Sequence, residues 1–180
     1  MDASFPQALA WVHLSEGGNS DDPDDPGGRT SRGVTQREYN AYLAIMGLIP
    51  GADVYKASDA QIDDIYRKSY WLPYCPNLPF GLDYSFFDEN VNTGLHEAVL
   101  ILQRALGVTA DGHIGVVTLA AIKTSDPAAV IDAFALARIS VYKQIEQEHP
   151  VEEKFNSGWM ARVESCRINS QKLYATRGQV

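Results

Sequence analysis

Apolar residues recur at helical spacing along most of this chain, and capping residues punctuate them. Phe5, Ala8, Leu9 and Val12 fall on one face of a helix. Ser4-Phe5-Pro6-Gln7 reads as a capping box, with Ser4 as N-cap and Pro6 in the first turn. Gly17-Gly18 ends that helix, because glycine readily closes a helical C-terminus. The stretch that follows, to Val34, is rich in Asp, Asn, Gly and Pro, a loop composition with room for a short hairpin. Thr35-Gln36-Arg37-Glu38 is a second capping box and predicts a helix to about Met46. Ser58-Asp59-Ala60-Gln61 is a third, opening a helix through Ile62, Ile65, Tyr66 and Tyr70.

The later part of the chain continues in the same manner. Residues 71–82 read as irregular, with Pro73, Pro76 and Pro79. Helices follow near Ser85–Asn92 and from about Leu95 to Leu106, where Gly107 closes the second. Asp111-Gly112 is a turn, and Val117–Ile122 a short helix. Asp126-Pro127 opens a long helix to about Glu148, ended by Pro150, and a last one covers roughly Trp159–Tyr174. No internal repeat or long alternating strand interrupts the pattern. The expected fold class is mainly α, with a short loop or β-hairpin segment after the first helix.

A chain of 180 residues with 45% hydrophobic content suits one globular unit. Its net charge is −8, with a pI near 4.9. That excludes nucleic acid as the main partner and a polybasic membrane anchor, since both need clustered Lys and Arg. Part of the charge is local, at Asp21, Asp22, Asp24 and Asp25. Cys75 and Cys166 lack metal-ligand or CxxC spacing and read as partly buried free thiols. The first residues carry no basic segment followed by an apolar one, and no run has the length of a membrane span. The expectation is synthesis in the cytoplasm without a signal peptide.

The Gly-rich segment concentrates candidate chemistry. Glu16 comes four residues after Val12, at the end of the first helix. The helix dipole and partial burial both disfavour a carboxylate there, which suits a general acid that holds its proton near neutral pH. Asp25 stands nine residues on, before Pro26-Gly27-Gly28, where it can stay hydrated and ionised. Two carboxylates in unlike surroundings are what glycosidic bond cleavage requires. Thr30 is placed to orient a water. The structural alternatives are a solvated Glu16, an Asx-turn at Asp25 and an exposed hydroxyl at Thr30, and Asp22 rivals Asp25. A calcium loop starting at Asp22 fails, because its twelfth position is Gly33 instead of a bidentate Glu. His13, three residues before Glu16, lacks the second His/Glu pair a metal site would use, so neither metal nor cofactor is expected. Asn90, Asn92 and Thr93 are candidates for hydrogen bonds to N-acetyl groups, or plain capping residues.

Glu16-Gly17-Gly18, Asp22-Pro23, Asp25-Pro26-Gly27-Gly28, Thr30 and Gly33-Val34-Thr35 resemble the signature of the glycoside hydrolase family 108 N-acetylmuramidases. The order Glu, Asp, Thr also resembles that of phage-type lysozymes, with Asp and Thr one residue closer here. Tyr70-Trp71 and Phe87-Asp88-Glu89-Asn90-Val91-Asn92-Thr93-Gly94 look like the family's middle segment. Leu102–Gly107, Asp111–Gly115 and Thr118 are similar to its peptidoglycan-binding region, and Arg138, Tyr142 and Phe155–Val163 complete the likeness. Asn19 stands where the family often has an aromatic.

The resemblance implies a lysozyme-like helical fold, with a catalytic region over 1–88 and a helical peptidoglycan-binding region over 89–180 packed on it. It implies cleavage of the β-1,4 bond between N-acetylmuramic acid and N-acetylglucosamine. Glu16, Asp25 and Thr30 would be catalytic, with Trp71, Asn90, Asn92 and Thr93 on the substrate. It implies a monomeric phage endolysin that meets peptidoglycan in the periplasm or cell wall after release through a holin lesion. Two other readings stay open: a wall-binding or structural module without turnover, and a lytic transglycosylase.

Overall fold

The computed structural model describes residues 3–15, 18–20, 28–148 and 153–177. Among these the chain forms eight α-helices and one small antiparallel sheet of three two-residue strands. It is mainly α, as the periodicity indicates. Two compact units divide it: Pro6–Pro73, and Met1–Phe5 together with Tyr74–Val180. The expected division between 88 and 89 falls inside a helix.

The N-terminal unit holds most of α1 (Phe5–Ser15), then β1 (Asn19–Ser20), β2 (Thr30–Ser31) and β3 (Val34–Thr35). It continues with α2 (Gln36–Ile45), α3 (Asp59–Ile65) and a π-helical stretch, Tyr66–Trp71. The strands lie in chain order, with Ser20 opposite Thr30 and Ser31 opposite Val34. Arg32 and Gly33 join β2 to β3 in left-handed conformations, φ 50° and 78°. This is the two-residue connection that matches the twist of paired strands. Gly33 adopts it without steric cost, whereas Arg32 needs support. Its attachments include its N–H donating to Gly18 O (3.2 Å), its Nη2 to Ala57 O (2.6 Å), its Nη1 to Asp59, and its carbonyl accepting from the Tyr66 hydroxyl (3.0 Å).

Both internal capping boxes form as their sequences indicate. The Glu38 carboxylate receives the Thr35 N–H at 2.9 Å, and Thr35 Oγ1 accepts the Glu38 N–H at 3.2 Å. Ser58 and Gln61 exchange the equivalent bonds ahead of α3. At Ser4 the hydroxyl donates to Asp83, 79 residues away. Beneath the elements of the N-terminal unit, Val12, Val54, Ile62 and Trp71 are wholly buried.

The C-terminal unit is organised around α4 (Leu82–Thr93), which starts three residues before its expected position and is buried continuously from Leu82 to Asn90. Packed against it are α5 (Leu95–Ala105), α7 (Pro127–Glu148) and α8 (Glu153–Ala175), while α6 (Val116–Thr124) lies between α5 and α7 in sequence. Gly81 sets where α4 begins. A side chain there would overlap the Ser170 carbonyl oxygen of α8, and its φ of 85° suits glycine alone. Ser85 and Ser170 join the same two helices through hydroxyls 2.7 Å apart. Cys75 and Cys166 are free thiols, fully buried where partial burial was expected. Burial pushes the Cys166 thiol up to about 12, which keeps it protonated and unreactive.

Candidate functional site

The catalytic candidates belong to the N-terminal unit. Glu16, Asp25 and the rival Asp22 lie outside the described residues. The last residue of α1 is Ser15, and beyond Glu16 the described chain resumes at Gly18, whose carbonyl accepts the Arg32 N–H. Three residues after Asp25, the Gly28 carbonyl accepts a hydrogen bond of 3.1 Å from Thr30 Oγ1. Thr30 is part-buried on the central strand. Its one hydroxyl hydrogen is thereby committed, and its lone pairs remain to accept from a water or a sugar hydroxyl. Thus one small sheet anchors the ends of the segments that carry both carboxylates.

The surrounding polar groups hold that sheet and α1 in place. His13 Nε2 lies 2.9 Å from Asp63 Oδ1, and its ring meets the Tyr66 ring edge-on at 5.3 Å. Those contacts tie α1 to α3 and explain His13 as a packing residue. Arg29 sits 4.2 Å over the Tyr55 ring and 3.4 Å from Asp53, clasping the chain just before Thr30. Trp71, by contrast, is wholly buried and presents no face to a sugar ring in this conformation.

The other candidates converge in the C-terminal unit on a buried polar network that the helical pattern alone does not announce. Asp88 and Glu89 of α4 face Arg138 of α7, all three at most 1% exposed. Arg138 Nη2 lies 2.9 Å from Asp88 and its Nε 2.5 Å from Glu89, while Arg162 of α8 adds a 3.1 Å pair with Asp88. Two carboxylates thus meet two guanidinium groups. Burial opposes the Arg138 charge, but Asp88 and Glu89 outweigh it and hold its pKa well above the ordinary value. Tyr142 donates to Glu89 at 3.0 Å, and burial pushes its phenol up to about 12.

Two of the expected substrate contacts bond into this network. The Asn92 amide donates to the Tyr142 oxygen at 2.8 Å, and the Thr93 hydroxyl to Glu89 at 2.8 Å. Asn90 is buried, with only 3% exposure. The signal for this cluster is present in the sequence: Asp88 and Glu89 directly follow two phenylalanines, and a helix buried on all sides must pair any charge it carries. Asp83, in the first turn of α4, has the same signature and falls outside the candidates read from motifs.

The Leu-Gln…Asp-Gly…Gly block has a structural explanation. The buried Gln103 amide reaches Asp111 (2.7 Å), the His113 carbonyl (3.0 Å) and Thr118 (3.1 Å), and its oxygen accepts the Gly112 N–H (2.9 Å). One side chain therefore fastens the α5–α6 loop. The bonds from Gln103 and the His113 N–H lower the Asp111 pKa. Among the described residues no group of three or more His, Cys, Asp or Glu is placed to hold a metal ion, and no helix is long and apolar enough to cross a membrane.

The chain is similar to known proteins. The family model described as "Glycosyl hydrolase 108" matches residues 9–94, and "Predicted Peptidoglycan domain" matches residues 97–164. No curated protein matches significantly. Among solved structures, "Structure of Brucella abortus SagA" is similar at 31% identity and a TM-score of 0.78, over 97% of each chain. The adjoining matches span the strand that carries Thr30, the α4 network and the Gln103 loop. On these grounds the chain is a glycoside hydrolase that acts on peptidoglycan, and it belongs to the glycosyl hydrolase 108 family.

Proposed function

We propose that the chain is a muramidase, hydrolysing the β-1,4 bond between N-acetylmuramic acid and N-acetylglucosamine. Glu16 protonates the leaving oxygen. Asp25 stays ionised and either positions the attacking water or stabilises the developing oxocarbenium charge. Thr30 accepts one hydrogen of that water. The observation that carries this reading is the Thr30–Gly28 hydrogen bond, which turns the Thr30 oxygen into an acceptor on the sheet adjoining both carboxylate-bearing segments. The position of Glu16 directly after the end of α1 supports its role as acid, because unsatisfied carbonyls there disfavour its charge. Asn90, Asn92 and Thr93 are the proposed contacts to N-acetyl groups, with Asn92 and Thr93 oriented by Tyr142 and Glu89, while Trp71 packs in the core of its own unit. The order of Glu16, Asp25 and Thr30 further supports a phage-type endolysin, acting as a monomer after release through a holin lesion. Expression with and without a holin tests that extension.

Glu16→Gln should keep the fold and lose at least about 10²-fold in the rate of wall solubilisation, the lower range for general acid catalysis. A rate like that of the unmodified chain overturns the assignment. Mass spectrometry of the products checks the bond and the reaction. Hydrolytic N-acetylmuramic acid reducing ends are expected. N-acetylglucosamine reducing ends would mean the other glycosidic bond, and 1,6-anhydro ends would mean a transglycosylase.

A further inference from the structure

We propose that a groove in the C-terminal unit binds the acidic stem peptide of peptidoglycan, a part of the substrate that is not cleaved. This rests on peptidoglycan being the substrate. One wall of the groove is the segment before α4, with Pro76, Leu78 and Pro79; the other is α6, with Leu119, Ile122 and Lys123. Its volume is about 720 Å³, within the several-hundred-Å³ range of sites that hold small ligands. Leu119, Ile122 and Lys123 are three and four residues apart, so one helical face presents all three. Val116 extends that face toward the helix start and is 83% exposed, so α6 carries an apolar stripe open to solvent.

The lining selects the ligand. No aromatic side chain takes part, so the groove lacks the flat faces on which sugar rings stack. Proline, leucine and isoleucine surfaces suit the methyl groups of alanine residues, which a stem peptide supplies. Among the described residues, Lys123 brings the one charged group into a groove otherwise lined by apolar side chains with Asn77 and Ser125, in a chain whose net charge is −8, and the free carboxylates of the stem complement it. Ser125 also lines the groove, and its hydroxyl hydrogen is committed to the Ala121 carbonyl at 2.7 Å. Its lone pairs therefore accept a peptide N–H. The matched peptidoglycan-domain segment, residues 97–164, contains the whole α6 wall.

The test uses a free tetrapeptide stem (L-Ala, D-isoglutamate, a diamino acid, D-Ala), which has no glycosidic bond and cannot be hydrolysed by this chemistry. Calorimetric titration should show saturable binding to the full chain. Lys123→Glu and Leu119→Gln, both at exposed positions, should each weaken it about tenfold or more, the scale of a lost charge-assisted bond or apolar contact. Amidating the peptide carboxylates should mimic Lys123→Glu. No binding, affinity unchanged in either variant, or equal binding of the amidated peptide overturns the proposal. So does protection of α6 from hydrogen exchange by self-association or by lipid vesicles but not by the peptide. Failure of the muramidase reading is seen separately, as an unmodified chain that binds the peptide yet releases no reducing ends from intact peptidoglycan.

Discussion

Thr30 has one hydrogen to give and gives it to the Gly28 carbonyl. Its catalytic use would then be that of an acceptor, and two substitutions separate this from a packing role. Thr30→Ser keeps the hydroxyl and should retain most of the activity. Thr30→Val keeps the shape and should lower kcat by about 10- to 100-fold, the rate equivalent of one or two hydrogen-bond energies, with KM little changed. Equal loss in both variants, or a loss confined to KM, would contradict the acceptor role. The second carboxylate is tested at the same scale. Asp25→Asn should cost more activity than Asp22→Asn at matched thermal stability, and the reverse order would move the role to Asp22. The candidates were legible because catalysis imposes residue types at short spacing, here all between Glu16 and Thr30. The neighbouring Ser31, opposite Val34, is where that motif passes into the strand pairing that holds Thr30.

At the scale of elements, what the sequence discloses is what short-range chemistry decides. The Thr35 and Ser58 capping boxes formed because their bonds span three residues. Ser4 carries the same signature and its hydroxyl also donates to Asp83, a partner no local window contains. The continuous helix expected through Tyr70 gives way to π-helical geometry at Tyr66, where the Tyr66 hydroxyl holds the Arg32 carbonyl. The last helix begins at Glu153 and runs through Gly158, because glycine lowers helix propensity without forbidding the helix. The resemblance implies Trp71 on the substrate, and its burial follows from tertiary packing. The sequence marks Asp88 and Glu89 as charges on a buried helix but not their partners, which come from α7 and α8. Arg138→Met leaves Asp88 and Glu89 buried with one guanidinium between them, and should destabilise the C-terminal unit by about 3–5 kcal/mol in denaturant unfolding. A cost under about 1 kcal/mol would mean that Arg162 alone satisfies both carboxylates.

At the scale of the whole molecule, net charge excluded partners without naming one, and the excess of acid is compatible with an anionic substrate only if contacts are local. One acid has a further consequence for stability. Asp83 is buried at the start of α4, where it accepts from Ser4 and from the Gly81 and Tyr84 N–H groups, the latter two at 2.8 Å. Burial outweighs those bonds and raises its carboxyl from 3.8 to about 6. The folded chain therefore binds this proton more tightly than the unfolded chain does. The stability it contributes is fully present below about pH 4, declines between about pH 4 and 6, and is absent above. Asp83→Asn removes the titration while keeping an amide oxygen to accept from the same N–H groups. The stability of the unmodified chain relative to Asp83→Asn should fall as pH rises from about 4 to 7, by at most about 3 kcal/mol, since each pKa unit is worth about 1.4 kcal/mol. Unfolding curves measured across that range decide it. If the two proteins keep a constant difference in stability, or the difference runs the other way, Asp83 is not the group that retains its proton.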